Sequence, residues 1–494
     1  MPSSAAQAFK EWVMTIDRRI FAIMVGLTIG ILGGIIGLLL VTIGPVLTIP
    51  IIIGVLVALY VLTDVTVALY GAMATMILLP FGTFPVKIGL TPTLLDLALG
   101  AFIGVYLLQW MTGHRRKITL SPPHALIALY LMWLIFAFSM GMRYGSPRPT
   151  VLRQFAETLL SIGMTFILVD LLQDEKALRR LVLVIMALVG IQAFIAIGLY
   201  ALPDGIAERF LIRLGRIGYP TGGVIRYIES TPALGERAIG TWVDPNSLGG
   251  LLAVGGAMIA PQVFAQKPVL KTRWLTFLVF GLVTLGVILT SSRASFLAFA
   301  AGLAVITIVR YRRIIPLLGV AGIIFLFLPQ TQNYIDRIFQ AFRGEDLATQ
   351  MRIGEWTDSL NLIQQYPFVG IGFTGTPTND VYTDVANMYL IMANQIGLTG
   401  VLFFLLAMGG IFAYGYRAWQ HVKDEPNMAA IHLGYQVAVL TALINAFADL
   451  YFFRLDFQAS ITWFWLIVAL AIASSRLILQ QASESTIAVS SAIK

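Results

Sequence analysis

The 494-residue chain is 58% hydrophobic and only 12% charged, and it contains no cysteine. Soluble domains carry roughly twice that share of charge, so a soluble globular protein is excluded and the composition specifies an all-α, polytopic transmembrane helix bundle. The absence of cysteine excludes disulfides, thiolate metal sites and a cysteine nucleophile. The formal net charge of +8 reads as the lysine and arginine excess of cytoplasmic loops, not as a nucleic-acid surface.

In chain order, residues 1–19 are short, weakly amphipathic and without a small-residue cleavage site before a long apolar run. They read as an uncleaved cytoplasmic tail, with Arg18 and Arg19 anchoring the first span. Apolar runs long enough for a helix across the hydrocarbon core follow near 20–43, 46–63, 65–80, 93–110, 124–141, 155–171, 181–202, 247–265, 274–290, 294–309, 314–329, 387–415, 429–449 and 457–475. That makes about fourteen spans. With the N-terminus inside, the cytoplasmic connections receive Arg115-Arg116-Lys117, Lys176 with Arg179-Arg180, Lys267 with Lys271 and Arg273, Arg310 with Arg312-Arg313, and Arg417 with Lys423. Each is a compact basic cluster at a span end, and shifting the count by one would place them all outside.

The chain thus divides into transmembrane helices over 20–202, an extracytoplasmic loop over 203–246, helices over 247–329, a large extracytoplasmic loop over 330–386, helices over 387–475 and a cytoplasmic tail over 476–494. Both loops are polar, punctuated by glycine and proline, and too long to be plain connections. The second reads as partly helical, with Trp356, Leu360 and Ile363 on one face and Tyr366-Pro367 ending the run.

This topology leaves a second population of positive charge on the outer side: Arg143, Arg148, Arg153, Arg209, Arg213, Arg216, Arg226, Arg237, Arg293, Arg337, Arg343, Arg352 and Arg454, with Lys87 the sole lysine. Guanidinium presents a planar fork that grips phosphate bidentately, which lysine does not. An arginine-rich outer face against the positive-inside pattern points to recognition of an anion, most simply a lipid-linked diphosphate. Some of these arginines will pair with loop carboxylates such as Asp204, Glu208, Glu229, Glu236 and Asp244, or snorkel to headgroups. Arg293 stands out, because it sits in a tight connection between two apolar runs, where TSSR offers hydroxyls and a helix N-terminus beside the guanidinium.

Four stretches, over about residues 230–475, resemble the O-antigen ligase and O-antigen polymerase superfamily of integral membrane glycosyltransferases. RAIGTWVDPNSLGGLL looks like the family's Arg…Gly-Thr…Asn segment, through Arg237 and Asn246. LTSSRASFLAFAAGL is similar to its Ser-Arg-small signature, through Arg293. RIGEWTDSLNLIQQYPFVGIGFTG resembles the Arg…Trp…Pro…Gly-x-Gly stretch of the large outer loop, through Arg352, Trp356, Pro367, Gly370 and Gly372. VANMYLIMANQIGLTG looks like the element opening the next helix, through Asn387, Tyr389, Leu390, Gly397 and Gly400.

The resemblance implies that an acceptor hydroxyl attacks the anomeric carbon of a glycan on undecaprenyl diphosphate, the lipid diphosphate leaving. It implies no nucleotide sugar, no cofactor and no metal. The partners are a lipid-linked donor, a glycan or lipid-glycan acceptor and membrane lipids, at the outer face of a bacterial cytoplasmic membrane. Arg237 and Arg293 are expected to stabilise the leaving diphosphate, with Arg352 assisting. Trp356, Asn387, Tyr389 and Asn246 are expected at the substrate, although packing is the commoner role for Trp356 and Tyr389.

Where the family pattern has histidine, this chain has Ala386, and its four histidines, His114, His124, His421 and His432, all fall at cytoplasmic span ends. The departure favours polymerase over ligase and leaves the proton acceptor open. Asp384 is the first candidate, competing with a role as helix cap, with Asp380 and Glu355 behind it. A transporter or flippase of lipid-linked saccharide is a competing reading, as is a non-catalytic scaffold of an envelope polysaccharide complex. Against a transporter stand the lack of an internal repeat and the scarcity of mid-span charge. Single cysteines introduced into this cysteine-free chain report the topology: position 345 should react with an impermeant thiol reagent in intact spheroplasts. Labelling only after permeabilisation would invert the assignment.

Overall fold

The computed structural model describes residues 64–83, 91–113, 115, 118–316, 319, 320, 322, 347–374 and 385–492, with scattered single positions before residue 64. The expected spans at 46–63 and 314–329 fall largely outside the described residues, as does half of 20–43. Met1–Val67 and Ala68–Lys494 form two compact units. In the first, nearly all of the described positions are helical. The cavities discussed below belong to the second.

The helices are α1 (Val65–Leu78), α2 (Leu94–Met111), α3 (Pro123–Gly141), α4 (Pro149–Leu171), α5 (Glu175–Ala201) and the short α6 (Asp204–Arg213). A two-residue antiparallel pair follows, β1 (Arg226–Tyr227) with β2 (Glu236–Arg237), in which Arg226 faces Arg237. Then come α7 (Pro245–Phe264), α8 (Arg273–Leu289), α9 (Arg293–Val309), α10 (Leu347–Gln365), α11 (Met388–Val422), α12 (Met428–Asn445) and α13 (Gln458–Ala492). Among the described residues eight helices are long and apolar enough to cross a membrane. The protein is a multi-pass all-α membrane protein. Leu107, Phe194 and Leu402 point outward, as side chains facing lipid do.

Local sequence sets the helix starts. Thr93 and Asp96 exchange side-chain to backbone hydrogen bonds in a capping box at α2. Asp244 caps α7 with Pro245 in its first turn, where the missing N–H is no loss. Asn387 caps α11 by accepting from the Tyr389 and Leu390 amides.

Helices α7 and α13 form the centre, whereas α2 leaves most of its surface outward. Close approach between α7 and α12 rests on small residues: a Cβ on Gly434 would lie 2.6 Å from the Met258 carbonyl oxygen. Helix α13 docks on α4 through the Ser161 and Thr462 hydroxyls, 2.8 Å apart.

Several helix boundaries differ from expectation, those of α4, α5 and α11 among them. Helix α12 stops at Asn445 rather than 449, leaving 446–457 irregular. Helix α13 continues to Ala492 rather than ending at 475; around that point Ser474, Ser475 and Arg476 are buried and Arg476 Nη2 donates to the Leu172 carbonyl at 3.1 Å. The expected apolar face of α10 is also reoriented. Trp356 and Leu360 point outward, while Ser359 and Leu362 are buried.

Helix α11 is broken at Gly397, whose φ is +72°. The break releases backbone groups that the Pro-Phe-Val-Gly-Ile-Gly segment takes up. Ile371 donates to the Asn394 carbonyl at 2.8 Å, Gly372 to Gln395 at 2.9 Å, and Leu398 donates back to Pro367 at 2.7 Å. Trp133 Nε1 closes the set on the Ile396 carbonyl at 2.8 Å. Gly370 (φ +71°) and Gly372 (φ +74°) make the approach possible; a Cβ on Gly370 would sit 2.5 Å from the Asn394 oxygen. Gly397→Ala meets both an unfavourable φ and the Phe368 carbonyl. It should lose at least about 1–3 kcal/mol, read as a lower unfolding temperature in detergent. Wild-type stability in this variant would mean that the break is not required.

Candidate functional site

A cavity of about 380 Å³ lies where β1 and β2, the α7 N-terminus, the α8–α9 turn, α10 and the α12–α13 connection meet. Arg226, Arg237, Arg293 and Arg352 line it, together with Asn246, Ser291, Ser292, Asp244 and Asp449. The chain therefore brings together four arginines from three separate segments, the β1–β2 pair, the start of α9 and α10, against two carboxylates. Helices α7 and α9 both begin at this cavity, so their dipoles add to the positive field.

Three of the cations are placed by distinct local devices. Arg237 Nε donates to the Thr290 carbonyl at 2.8 Å and its Nη2 to Asn246 Oδ1 at 2.6 Å. The next amide, Ala238 N–H, donates to the Leu289 carbonyl at 2.9 Å. One guanidinium thus ties the end of α8 to the start of α7. At the TSSR turn, Ser291 takes a left-handed φ of +52°. Ser292 becomes the cap of α9 and Arg293 its first residue. Arg352 arrives in the first turns of α10, a helix fastened to the α11 break by the Ser359 hydroxyl, which donates to Asn394 Oδ1 at 2.9 Å.

Asp449 is the residue that the sequence did not single out. It lies in the irregular 446–457 connection, 6% exposed, and burial pushes its carboxyl up to about 7, a rise also favoured by Asp244 and opposed by Arg352 and Arg237. A hydroxyl and amide chain runs from it to the start of α9. Tyr451 Oη lies 3.3 Å from Asp449 Oδ2 and 3.0 Å from Asn445 Oδ1, Asn445 Nδ2 donates to Ser295 Oγ at 3.3 Å, and Ser295 Oγ sits 3.0 Å from Ser292 Oγ. The only sequence signal for Asp449 was a lone carboxylate at the end of an apolar run.

Of the expected site residues, Arg237, Arg293, Arg352 and Asn246 line the cavity, and Asn387, Tyr389 and Trp356 do not. Asn387 caps α11 and donates from Nδ2 to the Phe447 carbonyl at 2.9 Å. Tyr389 donates to the Leu443 carbonyl at 2.8 Å and packs on Phe447, which fastens α11 to α12. Trp356 is 41% exposed on the outward face of α10. Asp384, Asp380 and His114 lie outside the described residues. Glu355 accepts from the Ala386 amide at 3.1 Å, so it supports the backbone at the position where the family pattern has histidine. His124, His421 and His432 are absent from the cavity lining; His432, for one, is buried between Ser474 and the Gly415 carbonyl.

Residues 275–405 match the family model described as O-antigen ligase, which supports membership of the O-antigen ligase and polymerase superfamily and a membrane glycosyltransferase of that type. No curated protein matches the chain. The matched span holds Arg293 and Arg352, whereas Arg226, Arg237 and Asn246 precede it and Asp449 follows it.

The raised Asp449 carboxyl makes a pH-dependent prediction. Its folded pKa, about 7, lies above the ordinary carboxylate value. The stability it contributes is complete below that ordinary value and is lost as pH rises through about 7. Asp449→Asn should therefore unfold at a higher temperature than wild type at pH 8.5, with the gap narrowing at pH 5.5. An equal effect at both pH values would show that Asp449 is not titrating there.

Proposed function

We propose that the protein is a glycosyltransferase of the outer face of a bacterial cytoplasmic membrane. It extends a cell-surface polysaccharide, an O-antigen or exopolysaccharide, using glycan carried on undecaprenyl diphosphate. The observation that carries this reading is the convergence of four arginines and two helix N-termini on one cavity beside a buried carboxylate. A diphosphate is the ligand that such a set of forks and dipoles accommodates. Polymerase is favoured over ligase, because Ala386 stands where the ligase pattern has histidine.

In the reaction, the acceptor hydroxyl oxygen bonds to the anomeric carbon as the bond from that carbon to the diphosphate oxygen breaks. The electron pair leaves with the diphosphate, where Arg237, Arg293 and Arg352 stabilise the growing charge. The hydroxyl proton passes to Asp449, whose carboxyl is poised near neutrality and lies in the same cavity. Asn246 orients Arg237. Asp384 remains the alternative acceptor.

The decisive assay uses purified protein, lipid-diphosphate glycan and, in a parallel reaction, a candidate acceptor. Lengthening of the lipid-linked glycan alone identifies a polymerase, and transfer only when the second acceptor is present identifies a ligase. Transport without transfer removes the enzyme reading. Loss of one charge-assisted contact should cost about 1.5–3 kcal/mol of transition-state stabilisation. Because the fork matters, Arg293→Lys should be nearly as inactive as Arg293→Ala. Full turnover by the lysine variant would reduce Arg293 to an anchor. Asp449→Asn should lower kcat by about 10²–10⁴-fold. If instead Asp384→Asn shows that loss and Asp449→Asn does not, Asp384 is the proton acceptor.

A further inference from the structure

Helices α7, α9 and α11 lead away from the arginine cavity and its surroundings to a second cavity, of about 860 Å³. The 17 residues of α9 set the spacing between its two ends at about 25 Å. The second cavity therefore lies at the opposite end of the bundle, the cytoplasmic end in the topology argued above. Arg310, Arg312, Arg313 and Lys423 line it against one carboxylate, Asp424, an excess of three positive charges.

The positive-inside rule accounts for the sign of these charges, but not for their meeting around one concavity with a built wall. Arg310 holds that wall. It donates to the Lys423 carbonyl and, at 3.5 Å, to the Glu425 carbonyl, which joins the end of α9 to the end of α11. Its guanidinium lies 5.7 Å from the Trp419 ring and 6.0 Å from that of Tyr311. Arg312, Arg313 and Lys423 remain exposed around it. The rest of the lining includes Phe264, Val309 and Ile314, so an apolar wall adjoins the cationic rim at the ends of membrane-crossing helices.

That amphipathic profile fits a phospholipid better than a soluble anion. Its volume falls in the range of small-molecule sites, and basic pockets between helices at the cytoplasmic side take anionic headgroups. We propose that this cavity binds the phosphate headgroup of an anionic phospholipid, whose acyl chains leave over the apolar wall. The site is separate from the glycan chemistry and does not depend on it.

The test uses the purified full chain in mixed micelles containing phosphatidylglycerol or phosphatidylcholine of the same acyl chains. Thermal unfolding and native mass spectrometry are the readouts. Phosphatidylglycerol should raise the unfolding temperature above phosphatidylcholine and remain bound in the mass spectrum. Arg312→Ala/Arg313→Ala should weaken the apparent phosphatidylglycerol affinity about 10–30-fold, and Arg313→Ala alone should show part of that loss if the double variant folds poorly. Lys176→Ala/Arg180→Ala, at the basic start of α5, should retain the full effect. Equal stabilisation by the two lipids would overturn the proposal, as would equal loss in the α5 variant. Inorganic phosphate reproducing the shift at millimolar concentration without lipid would reassign the site to a free anion and overturn the lipid.

Discussion

A polar backbone group inside an apolar bundle has no water to bond, so irregular chain is tolerated only where protein partners replace the lost helical hydrogen bonds. The break in α11 at Gly397 lives under that constraint. Its freed carbonyls at Asn394 and Gln395 are taken by Ile371 and Gly372, and the Leu398 amide returns to Pro367. This exchange fastens the segment after α10 to the middle of the bundle, and the bond from Ser359 to Asn394 fastens α10 itself. Arg352 rides on that helix. The placement of a cation in the site thus depends on three glycines well away from it.

The site has the opposite problem: four guanidinium groups gather where like charges repel. Three features of the surroundings offset that repulsion. Arg237 is bonded to a backbone carbonyl and an amide oxygen, Asp244 and, when ionised, Asp449 supply negative charge, and the lining is polar, with Asn246, Ser291 and Ser292 among the arginines. The residual positive excess suits the cavity to an anion. A neutral rim at the same place would bind sugar hydroxyls but would not stabilise a leaving group that carries charge.

Asp449 combines a carboxyl poised near neutrality with a cost in stability. Burial raises its carboxyl to about 7, which places it where a proton acceptor is useful at neutral pH. The same burial makes its ionised form unfavourable in the folded state. The Tyr451–Asn445–Ser295 chain keeps the carboxylate in register with the start of α9. One hydrogen-bond network therefore joins Asp449 to the turn that carries Arg293.

The apolar runs determined the fold class by themselves, because every helix crossing a bilayer must carry its own hydrocarbon-length stretch. The sequence also singled out Arg237, Asn246, Arg293 and Arg352, which line one cavity, because the local motifs and the arginine-over-lysine bias mark them. Other assignments needed the tertiary structure. Asn387 and Tyr389 share a motif with the site yet spend their polar groups on the Phe447 and Leu443 carbonyls, and no local pattern separates a packing hydrogen bond from a substrate contact. Trp356 lies on the outward side of its helix because the Ser359 side meets α11. Asp449 was hidden for a related reason. Its burial, its raised carboxyl and its place among the arginines come from segments distant in sequence, and a carboxylate's chemistry depends on what surrounds it in space.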